Sequence, residues 1–258
     1  MPSQDTIRCQ DLVCGYHGRT VLDHVSLSAV KGESIALLGA NGSGKSTLIK
    51  SLCGVLKPDH GSVEIDGISV ASGSPSEIAL RVAVVPQDEP TPFPFLVREV
   101  VTMGRLPYGS GIFDTADDVA AADEAMRVAE CVELADRPLN ELSGGEKQRV
   151  LLARAIAQDT PVVLMDEPTA HLDPAHQVAV AALVKGLTAK GKTVLSAVHD
   201  LNLASLIAVR AVVLGNGQVA KDGPVEDVLF SDELEQCYGT RFERIRTSTG
   251  RLLIAPLG

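Results

Sequence analysis

Gly39-Ala40-Asn41-Gly42-Ser43-Gly44-Lys45-Ser46-Thr47 follows the apolar run Ser34-Ile35-Ala36-Leu37-Leu38 and leads directly into Leu48-Ile49-Lys50-Ser51-Leu52. Strand, glycine-rich loop and helix in that order are the setting of a phosphate-binding loop. The glycines let backbone N–H groups turn inward around phosphate oxygens, and the helix behind them points its positive end at the same place. The expected nucleotide contacts are Gly39, Asn41, Gly42, Ser43, Gly44, Lys45, Ser46 and Thr47. Lys45 would reach the outer phosphates, and the Ser46 hydroxyl would face a magnesium ion. The loop therefore predicts a nucleoside triphosphate site.

A chain of 258 residues suffices for one large domain, or for one with an inserted subdomain. Apolar residues make up 45% of it, aromatics only 3%, and Trp is absent, so the core must be built from Val, Leu, Ile and Ala. No run approaches the roughly 18 apolar residues of a spanning helix. The best stretch, 193–214, is broken by His199, Asp200, Asn202 and Arg210. Met1-Pro2-Ser3-Gln4-Asp5 lacks the basic and apolar regions of a signal peptide, and the five cysteines show no metal-type spacing, which fits reduced thiols. A net charge of −10 argues against nucleic acid or an anionic lipid surface as the main partner. Between Asp114 and Glu141 nine acids stand against two arginines. Such a cluster reads as a docking face for a basic partner or, more commonly, as a solvated helix face.

Outward from the loop, apolar strands alternate with helical stretches. Residues 6–30 read as two or three antiparallel strands, and 61–67 as a short strand ending in a turn. Val82-Ala83-Val84-Val85, Val162-Val163-Leu164-Met165 and 193–198 read as buried strands, with helical spacing at 97–103, 116–134, 145–157 and 175–189. Continuous apolar strands alternating with helices predict an α/β fold: a mainly parallel sheet covered on both faces.

In a parallel sheet the strand ends gather at one edge, where ligands of open α/β sheets bind. Asp166-Glu167 follows Val162–Met165, Gln87 follows Val84-Val85-Pro86, and His199 follows Leu195–Val198. Asp166 is suited to hold magnesium. Glu167, one residue beyond, is the expected general base for an attacking water. Gln87 can ligate the metal or orient water, and His199 can donate to a terminal phosphate oxygen. A lone histidine is more often simply a satisfied side chain, but the position at a strand end favours the catalytic reading.

Leu142-Ser143-Gly144-Gly145-Glu146-Lys147-Gln148-Arg149 begins another helix, with Ser143 as N-cap and two glycines exposing free N–H groups. It is a second anion-binding helix end, and one subunit holds no second phosphate for it. The string resembles the signature motif of the ATP-binding-cassette ATPases. Along the same chain Tyr16 resembles the aromatic that stacks on adenine, Gln87 the Q-loop glutamine, Ala170-His171-Leu172-Asp173 the D-loop and His199 the switch histidine, all in the family's order.

The resemblance implies a P-loop NTPase-type sheet with an N-terminal antiparallel β subdomain and an inserted helical subdomain. The single cassette would have its core at 1–94 and 159–240, helices at about 95–158, and a short tail at 241–258. It also implies two copies packed head to tail around two ATP molecules, each phosphate loop facing Ser143, Gly144 and Gly145 of the other copy. Hydrolysis would then drive an integral membrane permease, served by a substrate-binding protein, from the cytoplasmic face of the inner membrane. Phe93 and Phe95, on the Pro-rich entry to the helices, are candidates for the permease-facing surface or for subdomain core. Gly104-Arg105-Leu106-Pro107, His199-Asp200-Leu201-Asn202 and the tail Leu252–Leu257 are similar to stretches in ATPases of iron-siderophore, haem and cobalamin importers. A soluble cassette ATPase acting on nucleic acid or ribosomes, or the ATPase of a transporter for another cargo, remain the alternatives.

Overall fold

The computed structural model describes residues 5–87, 93–109, 114–169, 172–248 and 250–257. Its centre is β3 (Ser34–Leu38), buried along its whole length. Ile35 and Leu37 point into one core while Ala36 and Leu38 point into the other, the period-two alternation of a strand covered on both sides. β7 (Val162–Asp166) and β8 (Thr193–Ala197) divide their side chains the same way, Leu164 and Leu195 to the first core, Met165 and Val194 to the second. With β6 (Val82–Val85) and β9 (Arg210–Gly215) they form a parallel sheet, to which β10 (Gln218–Pro224) adds an antiparallel edge. The strand order is β10-β9-β3-β8-β7-β6.

The first core is closed by α1 (Lys45–Leu52) and by an antiparallel sheet of order β2-β1-β4-β5. That sheet comprises the hairpin β1 (Asp5–Tyr16) and β2 (Arg19–Val30), then β4 (His60–Ile65) and β5 (Ile68–Ser69). Ile7, Leu12, Leu22, Leu48 and Leu52 are fully buried there, each contributing about 1.5–3 kcal/mol by leaving water. A short helix, α2 (Pro75–Ala79), is started by a Ser74–Glu77 capping box.

The second core is covered by α3 (Val97–Thr102), α4 (Ala116–Val128) and α5 (Gly144–Ala157), packed on one another, and by α6 (Pro174–Ala189) and α7 (Leu201–Ile207). The chain closes with α8 (Val225–Leu229), α9 (Asp232–Tyr238) and the hairpin β11 (Phe242–Arg246) and β12 (Leu252–Pro256).

The α/β architecture with its parallel sheet is as expected from the sequence. Residues 6–30 form two of the two or three antiparallel strands expected, and one detail differs: the helix expected at 116–134 ends at Val128, shortly before Glu130, which takes a left-handed backbone (φ 53°). Four of the nine acids in the cluster are paired with arginines: Asp118 with Arg105, Glu124 with Arg127, Glu133 with Arg149 and Asp136 with Arg98. A partly self-neutralised helix face is therefore the reading the structure favours.

Candidate active site

The loop after β3 is held by its own backbone. Gly39 has φ 144°, and a Cβ there would stand 2.3 Å from the Leu214 carbonyl oxygen, so a side chain would force β9 away. Lys45 is 5% exposed, and its ammonium donates to the carbonyls of Gly39 (2.7 Å) and Ala40 (3.1 Å). Burial pushes the Lys45 pKa down, while Glu167 and Asp166 act to raise it, so the charge is held close to two carboxylates.

β7 delivers Asp166 and Glu167 to the carboxyl edge of the sheet, separated from β3 only by β8. Asp166 is buried, and desolvation pushes its carboxyl up against the opposing pull of a hydrogen bond from Ser46. Its Oδ1 has no hydrogen-bond partner. A desolvated carboxylate with a free oxygen, bonded to the hydroxyl that begins α1, has the hard-oxygen chemistry that suits magnesium. Among the described residues no three His, Cys, Asp or Glu side chains cluster as a metal cage.

Glu167 sits at φ 52°, a left-handed conformation that costs a non-glycine residue of order 1 kcal/mol, with its N–H donating to the Ala197 carbonyl at 3.0 Å. The turn lifts the carboxylate off the strand. Gln87 Nε2 donates to Glu167 Oε2 at 2.8 Å, and His199 Nε2 shares a hydrogen bond with Oε1. The ends of β6, β7 and β8 thus converge on one carboxylate, and Lys45, Ser46, Asp166, Glu167, Gln87 and His199 form one cluster.

Tyr16 lies 40% exposed at the tip of the first hairpin, 6.0 Å from the Lys50 ammonium on α1. Ser143 caps α5 in a reciprocal box: its Oγ accepts from the Glu146 N–H, and its own N–H and hydroxyl donate to Glu146 Oε2 at 2.8 and 2.7 Å. These bonds hold the Glu146 carboxyl below the usual carboxylate range. Ser143 and Gly144 are exposed, and none of the hydrogen bonds of Ser143 reaches the phosphate loop of its own chain. Of the D-loop, Ala170 and His171 lie outside the described residues, while Asp173 caps α6 by accepting from the His176 N–H at 2.9 Å. Sequence reasoning missed Tyr238, whose hydroxyl accepts the Gly39 N–H at 3.1 Å. A partner 199 residues away leaves no local pattern.

The segment 104–108 also acquires a physical account. A Cβ on Gly104 would stand 2.4 Å from the Arg154 carbonyl oxygen on α5. Arg105 stacks 3.9 Å above the Tyr108 ring, pairs with Asp118 and donates to the Ala157 carbonyl, and Tyr108 donates to the Gln158 carbonyl. The motif therefore fastens this turn to both α4 and α5.

The family model described as ABC transporter matches residues 22–170. The chain is 44% identical over 259 residues to a hemin import ATP-binding protein of Nocardia farcinica, covering 98% of this chain and 89% of that one. It is 39% identical to a cobalamin import ATP-binding protein of Halobacterium salinarum, covering 93% of this chain and 61% of that one. Among solved structures, a metal-chelate type ABC transporter in an inward-facing conformation superposes with a TM-score of 0.86 at 28% identity, over 99% of this chain and 98% of that chain.

Proposed function

Since the chain belongs to the ABC transporter family and is an ATPase of that family, we propose that it energises import of a metal chelate, either haem, a cobalamin or a ferric siderophore. The observation that carries the catalytic part is the Glu167 carboxylate, raised on a strained turn and held between Gln87 and His199 beside the Lys45 loop. The cargo part is supported by the hemin and cobalamin importers among the relatives and by the metal-chelate transporter among the structures.

In this reading residues 39–47 cradle the phosphates of ATP, with Lys45 exchanging its two loop carbonyls for phosphate oxygens. Magnesium, held by Ser46 and Asp166 with Gln87 nearby, would neutralise charge on the outer phosphates. Glu167 accepts a proton from the attacking water as its oxygen bonds to the γ-phosphorus and the bond to the β–γ bridging oxygen breaks. His199 donates to a γ-phosphate oxygen, and Tyr16 stacks on the adenine. Ser143, Gly144 and Gly145 at the start of α5, the first two of them exposed, would complete the site of a second copy.

On the same reading the chain would be a single cassette domain with its core at 1–94 and 159–240, a helical subdomain at about 95–158 and a short tail at 241–258. It would work at the cytoplasmic face of the inner membrane against a permease that receives cargo from a substrate-binding protein. None of the helices described is long and apolar enough to cross a membrane. Phe93 and Phe95 are 63% and 41% exposed and meet edge to face at 6.0 Å, which favours the permease-facing role over core packing. Uptake of labelled haem, cobalamin and ferric siderophore by the complex with its permease and binding protein tests the cargo. Transport of a sugar, amino acid or lipid in place of all three would end that claim and leave the ATPase untouched.

A further inference from the structure

Helix α9 and the hairpin β11–β12 grip the catalytic edge at two points. Helix α9 starts at Ser231, whose hydroxyl accepts the Leu234 N–H, buries Leu234 completely, and ends on Tyr238. The Tyr238 ring packs edge-on against Phe242 at 5.8 Å, which aims its hydroxyl at the phosphate loop, where it accepts the Gly39 N–H. The Gly39 carbonyl in turn receives the Lys45 ammonium. One tyrosine therefore anchors, through the Gly39 N–H, the residue whose carbonyl receives the phosphate-binding lysine.

The second grip is Asn202, on α7 three residues beyond His199. Its Oδ1 accepts the Ile254 N–H at 2.8 Å and its Nδ2 donates to the Ile254 carbonyl at 3.0 Å, a two-bond clamp on β12. The hairpin that offers this clamp is rigid: Leu252 and Ile254 are buried, and Arg244 ties it to the Leu229 carbonyl and to Glu235.

We propose that α9 and the hairpin β11–β12 form a brace that positions two parts of the ATPase site, the Gly39 end of the phosphate loop through Tyr238 and the helix behind His199 through Asn202. Neither residue reaches the reacting atoms; each acts through the residue it holds. The brace rests on the reading of residues 39–47 as the nucleotide loop.

The two grips act on different constants, and that separates positioning from general stability. In the full chain, Tyr238→Phe keeps the ring packing and removes one acceptor, so ATP affinity should fall about 5-fold with the melting temperature nearly unchanged. Asn202→Ala should lower kcat about 5-fold while KM stays close to that of the parent protein. Unchanged affinity in the first variant, or unchanged turnover in the second, overturns the proposal. Hydrogen exchange in the parent protein decides it even where a variant fails to fold: the Gly39 amide should be protected, and free exchange there overturns the brace. Should the parent protein bind no ATP, the nucleotide reading would fall, and the Gly39 amide would still decide the brace.

Discussion

At the scale of the residue, the site depends on a few side chains whose surroundings allow separate tests. Lys45 contacts loop carbonyls rather than core, so Lys45→Ala should abolish binding of a fluorescent ATP analogue while the circular dichroism spectrum stays that of the folded protein. Near-normal affinity would sink the nucleotide reading. Glu167→Gln keeps the hydrogen-bonding shape and removes the proton acceptor, so turnover should fall by roughly 10²–10⁴-fold with ATP still bound. The same residue also allows a test of backbone strain. With both side chains removed, Glu167→Gly should be about 1 kcal/mol more stable than Glu167→Ala in urea unfolding, because only glycine takes φ 52° freely. Equal stability would show that the turn is unstrained.

At the scale of the element, the turn at 103–108 joins α3 to α4 and α5. Adding a methyl at Gly104 brings it within 2.4 Å of a backbone oxygen, so Gly104→Ala should destabilise by about 1–3 kcal/mol. Asp118, at the start of α4, is held below the usual carboxylate range first by the Thr115 hydroxyl, then by the Thr115 N–H and Arg105. A carboxylate lowered on folding adds stability above its unfolded pKa, near 4, and loses it as pH falls through the lower folded value. Thermal melting from pH 6 to pH 3 should therefore show a steep loss at the acid end, and Asp118→Asn should flatten it. The phosphate loop, β7 and the strand-end residues were legible in the sequence because each combines a continuous apolar run with a polar residue at its end. β9, β10, α8, α9 and the last hairpin were not. Apart from β9, whose continuous run Ala211-Val212-Val213-Leu214 does not stand apart from the stretch before Arg210, their apolar runs are short, and charged residues such as Lys221 and Arg244 interrupt them. Pairings of Asn202 with Ile254 and Tyr238 with Gly39 exist only once the chain is folded.

At the scale of the whole molecule, the Glu167→Gln protein with ATP and magnesium should elute as a dimer on sizing if, as proposed, the exposed Ser143 end completes the site of a second copy. Polar replacement of Phe93 and Phe95 should leave the melting temperature and basal ATPase activity of the isolated protein unchanged and reduce uptake by the assembled transporter. A collapse of stability would return both residues to the core. Ser143 makes no hydrogen bond to the phosphate loop of its own chain, and a site completed by a second copy would bear on inheritance. In a cell carrying two alleles, a Glu167→Gln copy would not be a silent passenger, because it would pair with wild-type copies and stall the mixed assemblies. The allele should act as a dominant negative, its severity set by relative expression rather than by the loss of its own turnover.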